Sequence, residues 1–165
     1  MTAYSAEKPV SYFLYDRRRR GVRELFGSRP ELAGYRLAPM QPHVVKARDG
    51  LDLVSYLTLP ADEPGERPAR PLPMVLVVHG GRWARDIYCY RGDHQWLANR
   101  GYAVLSVNYR ASTGFGKDFV NAGSREHAGK IHADLIDAVE WAVREGIARR
   151  EIGRASCRER VYGTV

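Results

Sequence analysis

Long hydrophobic runs are missing from this sequence. No apolar stretch approaches the roughly 18 residues that a membrane-crossing helix needs, and the first eight residues lack the apolar core of a secretory signal. Cysteine is scarce. Cys89 and Cys157 are the only two, too few for a disulfide framework or a cysteine metal site. The histidines make no metal motif either. His127 and His132 are wrongly spaced for one helical face, and Glu126 does not complete a His-Glu-x-x-His pattern, so no metal and no cofactor is expected. Gly114-Phe-Gly116 follows a strand without opening a helix, which argues against a dinucleotide-phosphate loop. No internal repeat is visible.

Charge is present but poorly distributed for binding nucleic acid. Five arginines and two glutamates lie in residues 149–165, a net +3 of the chain's +7. The other concentration, Arg17–Arg20, has no interleaved aromatic or amide residues for base contacts and reads as a solvated hairpin tip. No nucleic-acid partner and no membrane partner is expected.

Met74-Val-Leu-Val-Val-His-Gly-Gly81 is the stretch around which the rest is arranged. An unbroken apolar run predicts a strand buried on both faces, as in the centre of a parallel sheet. Pro71 and Pro73 keep a helix from entering it, and the glycine pair ends it. Asp93–Arg100 predicts a short helix, with Asp93 as N-cap and Gly101 as its stop. Tyr102–Asn108 predicts a second buried strand. Strand, helix and strand at this spacing form a βαβ unit, so His79-Gly80-Gly81 and Asn108-Tyr-Arg110 should share the rim where open α/β sheets bind ligands. Gly80 and Gly81 are candidate oxyanion-hole donors, because glycine lets the backbone approach a reacting carbonyl. His79, Asn108 and Arg110 are candidate residues of the active-site rim.

Elsewhere, Ser11–Asp16 and Val22–Phe26 predict a hairpin around the arginine run. Val44–Arg48 and Leu51–Leu59 predict another around Asp49-Gly50. The alternation in Leu51–Leu59 places that strand at an edge, with one wetter face. Pro60–Pro73 predicts a surface loop. Lys130–Glu145 predicts the clearest helix, with Ile131, Leu135, Ala138, Val139 and Ala142 as its buried stripe and Asp134 and Asp137 as solvated carboxylates.

The residues His79-Gly-Gly-Arg-Trp-Ala-Arg-Asp86, His94-Gln-Trp-Leu-Ala-Asn-Arg-Gly-Tyr-Ala-Val-Leu-Ser-Val-Asn108 and Arg110-Ala-Ser-Thr-Gly-Phe-Gly116 resemble the prolyl oligopeptidase family of serine peptidases, most nearly its acylaminoacyl-peptidase-like branch. The resemblance runs from about Tyr12 to about Ala148. It departs at Arg82, where the family usually has Pro, and at Ala111, where it usually has Gly. It implies an α/β fold: the N-terminal part of an α/β-hydrolase sheet, mostly parallel with helices on its faces, preceded by one β-hairpin from a β-propeller blade. The implied division is residues 1–34 as blade remnant and crossover, 35–148 as the N-terminal part of the hydrolase domain, and 149–165 as a foreign tail. Ile152–Val161 resembles a vector-derived read-through sequence.

In that family a strand and a Gly-x-Ser-x-Gly elbow follow the long helix, and the catalytic Asp and His come later. None of these stands in residues 149–165, where Ser156 sits in Gly-Arg-Ala-Ser-Cys. The resemblance therefore implies a peptide substrate for the intact family, no catalytic residue in this chain, and a chain that is inactive as given. It also implies an unpaired outer edge on the Met74–His79 strand. An esterase-type α/β-hydrolase fragment and a non-enzymatic basic module are the alternative readings.

Overall fold

A computed structural model describes residues 1–63, 65–81, 83–126, 128–157 and 161–162, those from 151 on by backbone alone. Arg82 and His127, both singled out above, lie outside the described residues.

Ser11–Asp16 (β2) and Gly21–Gly27 (β3) pair antiparallel, the hairpin expected around the arginine run. The turn between them is closed by Asp16, whose Oδ1 accepts from the Arg18 and Arg19 N–H groups at 2.9 and 3.1 Å. This satisfies backbone donors locally and leaves Arg17–Arg20 exposed. Thr2–Ala3 (β1) adds a third strand too short to stand out in the sequence.

The larger sheet has six strands: Met40–Lys46 (β4), Asp52–Thr58 (β5), Leu72–Val78 (β6), Ala103–Val107 (β7), Ala148–Cys157 (β8) and Val161–Tyr162 (β9). Their spatial order is β4-β5-β7-β6-β8-β9. The centre, β7-β6-β8, is parallel, and the pairs on either side of it are antiparallel. Gly92–Ala98 (α1), Lys117–Asn121 (α2) and Lys130–Arg144 (α3) complete the fold. On β6, Met74, Leu76 and Val78 join the main core with Ile131, Ala138 and Ala142 of α3, while the alternating Val75 and Val77 pack with Leu97 of α1. Both faces of β6 are covered, which is why its sequence is apolar without alternation.

Three expectations are corrected here. β5 is not an edge strand: β4 holds the edge, and β5 is paired on both sides, with every residue from Ser55 to Thr58 buried. Asp134 and Asp137 are not solvated; both are buried. Residues after Ala148 do form a strand. β8 pairs parallel with β6 from Leu72↔Ala148 to Val78↔Cys157, so β6 has no open outer edge. A ladder is made by backbone N–H and C=O groups, which Arg-Arg-Glu-Ile-Gly-Arg supplies as well as any apolar run, whereas the hydrophobic pattern registers only side-chain burial. A β6 strand buried on both faces leaves its edge groups costly without that partner.

Candidate active-site rim

The register that pairs Met74 with Ala103 and Val77 with Ser106 brings His79 level with Asn108. All five candidate residues, His79, Gly80, Gly81, Asn108 and Arg110, thus stand at the C-terminal end of the parallel strands. Their side chains do different things.

His79 is buried and stacks on Tyr109, with ring centroids 4.4 Å apart. Its Nε2 lies 2.8 Å from Ser112 Oγ, which itself lies 2.6 Å from the Tyr109 carbonyl oxygen. A carbonyl only accepts, so the Ser112 hydroxyl donates there and its oxygen accepts from His79 Nε2–H. Burial holds the imidazole below its usual pKa, against the favourable charge of Asp86. This Ser–His pair is therefore no nucleophile and base: the proton runs from His to Ser, and Ser112 is fully buried. Its effect is mechanical. The Tyr109 hydroxyl reaches the carbonyls of His79 and Gly81 at 3.0 and 3.1 Å, so ring, hydroxyl and Ser112 together hold the glycine turn.

Gly81 has φ +78° and open space within 4 Å of where a Cβ would stand. Neither the Gly80 nor the Gly81 N–H has a hydrogen-bond partner among the described residues. The turn thus leaves two backbone donors without a protein partner at the end of a central parallel strand, with open space at Gly81.

Asn108 faces inward. Its Oδ1 accepts from the Asp86 N–H at 2.9 Å and its Nδ2 donates to the Asp86 carbonyl at 3.3 Å. It clamps the loop after β6 rather than meeting solvent. The Asp86 carboxyl is pushed up by burial, opposed by Arg91, which donates to Oδ1 at 2.7 Å.

Arg110 also turns inward. It donates to Asp134 through Nε and Nη2 and to Asp49 through Nη1 and Nη2, at 2.6–3.0 Å. The Asp49 carboxyl is held below its usual range, first by these hydrogen bonds. One guanidinium thereby joins the β4–β5 turn, the end of β7 and α3. Asp137 does a lesser version of this with Arg48, at 2.7 Å. Asp49 and Asp134 were legible only as a turn residue and a helix carboxylate, because long-range pairing has no local pattern.

Ala111 carries a visible strain. Its φ is +79°, a conformation suited to glycine, and a Cβ on Gly123 would fall 2.3 Å from the Ala111 Cβ. The sequence departure at this position is thus a backbone cost. Ala111→Gly is expected to raise stability by about 1 kcal/mol, the approximate penalty for a side chain in this region. The check is the midpoint of urea unfolding; an unmoved or lowered midpoint refutes the strain.

The α1 face holds a site that the sequence did not reveal. His94, fully buried, is bonded through Nδ1 to Thr58 Oγ1 at 2.9 Å and through Nε2 to Ser106 Oγ at 2.7 Å. A neutral ring donates with one nitrogen and accepts with the other, so both hydroxyls are served. Asp93 is not the helix cap expected of it: Arg91 stands at that position without a side-chain cap bond, and Asp93 pairs with Arg91. The His94 link to β5 and β7 supplies what the uncapped seven-residue helix lacks.

Among the described residues no cluster of three or more His, Cys, Asp or Glu is placed to hold a metal ion, and no helix is long and apolar enough to cross a membrane.

The sequence model of the prolyl oligopeptidase family matches residues 89–153. The likeness therefore runs into β8, beyond the Ala148 limit expected from the sequence. Dipeptidyl aminopeptidase BIII of Pseudoxanthomonas mexicana is 56% identical over 156 residues, 92% of this chain and 22% of its own length. The acylamino-acid-releasing enzyme of Sus scrofa is 39% identical over 112 residues, 65% of this chain and 13% of its own. The solved acylaminoacyl peptidase of Pyrococcus horikoshii superposes with a TM-score of 0.76 at 23% identity, covering 94% of this chain and 24% of that one. The chain spans about a fifth of the length of the first of these relatives. The fold agreement covers 94% of the chain and the sequence agreement 92% of it; the chain belongs to the prolyl oligopeptidase family.

Proposed function

We propose that this sequence supplies the oxyanion side of a serine peptidase. In that reading a serine elsewhere in the whole protein attacks a peptide carbonyl, a histidine takes its proton, and an aspartate orients the histidine. Negative charge then develops on the carbonyl oxygen, and the N–H groups of Gly80 and Gly81 receive it. The observation that carries the reading is the turn itself: unpartnered donors at Gly80 and Gly81, fixed from behind by Tyr109, His79 and Ser112. Fixed donors stabilise the transition state without reorganising, and removing one such donor typically costs about 100-fold or more in kcat. Asn108 and Arg110 serve as positioning residues for the rim. The division into residues 1–34, 35–148 and 149–165 belongs to the same proposal, with 149–153 now carrying family likeness.

The expected result is that the 165-residue chain alone does not react with a fluorophosphonate probe, since Ser112, the serine hydrogen-bonded to His79, is buried and wrongly protonated for attack. Protein made from the full reading frame should label once per molecule and release short acyl or dipeptidyl groups from peptides. Labelling of Ser112 in the chain alone would overturn the assignment, and so would a full-length protein inert to both probe and peptide.

A further inference from the structure

Three arginines of known placement stand in the loops after β6 and β7. Arg91 is paired with Asp86 and Asp93, and Arg110 with Asp134 and Asp49. Arg85 is exposed and has no carboxylate partner among the described residues. A surface arginine is ordinarily directed into solvent, but this one lies against the neighbouring loop. A Cβ on Gly114, in the neighbouring loop, would fall 2.0 Å from Arg85 Nη1, 3.0 Å from its Cζ and 3.2 Å from its Cδ. The side chain thus occupies the space that any larger residue at 114 would fill. Beside it the Thr113 N–H donates to the Ala84 carbonyl at 3.1 Å and fastens the two loops together. The result is a guanidinium lying against Gly114 where the loop after β6 meets the loop after β7, with no carboxylate to match it among the described residues.

We propose that Arg85 reads a carboxylate carried by the peptide substrate; the proposal rests on the peptidase reading above. The planar guanidinium presents two parallel N–H donors that match the two oxygens of a carboxylate. Its seat on Gly114 reduces the side-chain freedom lost on binding. Arg85 acts in substrate binding and leaves the acyl-transfer step to the oxyanion turn.

The test uses the full-length enzyme and two matched peptide pairs: free C-terminal acid against C-terminal amide, and an internal Glu against Gln. Wild type should show a KM about tenfold lower for the carboxylate member of one pair, with similar kcat, as a charge-assisted hydrogen bond implies. The pair that responds identifies the source of the carboxylate. Arg85→Ala should abolish the preference. Gly114→Ala should do the same by filling the seat. Gly116→Ala is the control: its φ of +97° brings comparable backbone strain, but a Cβ there meets nothing within 4 Å, so the preference should survive. Equal KM ratios in wild type and Arg85→Ala would overturn the proposal, as would loss of the preference in Gly116→Ala to the same degree as in Gly114→Ala. A wild type that cleaves neither pair refutes the peptidase reading instead. Calorimetric titration of the same peptides onto the same variants then decides the Arg85 proposal by the same ratios.

Discussion

Arg110→Ala is expected to lower folding stability by about 3–5 kcal/mol, the cost of leaving a buried charge without its partner. Asp134 is fully buried, and Arg110 donates to both of its carboxylate oxygens, at 2.6–3.0 Å. Alanine removes those donors and leaves Asp134 with only the backbone N–H of residue 110, at 2.9 Å. Asp49 also loses its partner, but it is partly exposed and regains water. The loss is large against a typical domain margin of about 5–15 kcal/mol. The double replacement Arg110→Met with Asp134→Leu should recover most of it, because apolar side chains of similar size need no partner. Urea unfolding read by far-ultraviolet circular dichroism gives both values. An Arg110→Ala midpoint matching the wild type would show that the network contributes nothing, and a double variant as weak as the single one would show that the cost is not an orphaned charge.

Acid is expected to destabilise the fold through His94. Burial pushes this imidazole down to about 4, against the attraction of Asp93. In the unfolded chain it titrates near 6.5. Above that pH neither state holds the proton, and the group has no effect on stability. Between about 6.5 and 4 the unfolded state takes a proton that the folded state refuses, so stability falls by ~1.4 kcal/mol per pH unit, roughly 3 kcal/mol in all. Below about 4 both states are protonated and this loss stops growing. The structural correlate is the pair of hydroxyls on the ring: a doubly protonated imidazole has no acceptor left, and Thr58 or Ser106 must reorient. Burial lowers His79 and His43 in the same direction, so they add to the effect. His94→Gln offers similar hydrogen-bonding groups without titrating in this range. Its stability should change less between pH 6.5 and 4 than that of the wild type. An equally steep profile in His94→Gln would remove His94 as the cause.

Local order was readable wherever it had a local cause. The apolar run of Met74–Val78, the glycine stop after it and the repeat in Lys130–Arg144 each register burial or backbone freedom at the residue itself. The βαβ unit followed from them, and with it the common rim of His79 and Asn108. What the rim residues do there was decided only by tertiary structure. Asn108 and Arg110 read as polar residues at a strand end, yet their side chains turn inward because Asp86, Asp49 and Asp134 arrive from distant segments. Asp134 and Asp137 read as solvated for the same reason: a helical repeat says which face a residue lies on, and nothing about an arginine brought to that face by another turn. β8 shows the reverse case. Its side chains gave no strand signal, and the ladder on β6 rests on backbone groups that every sequence carries. The composition and spacing of this chain determine its sheet centre and the glycine turn that ends the central strand. The partners of its buried charges and hydroxyls come only from the fold, because an ion pair or hydrogen bond is made between segments and leaves no period in either one.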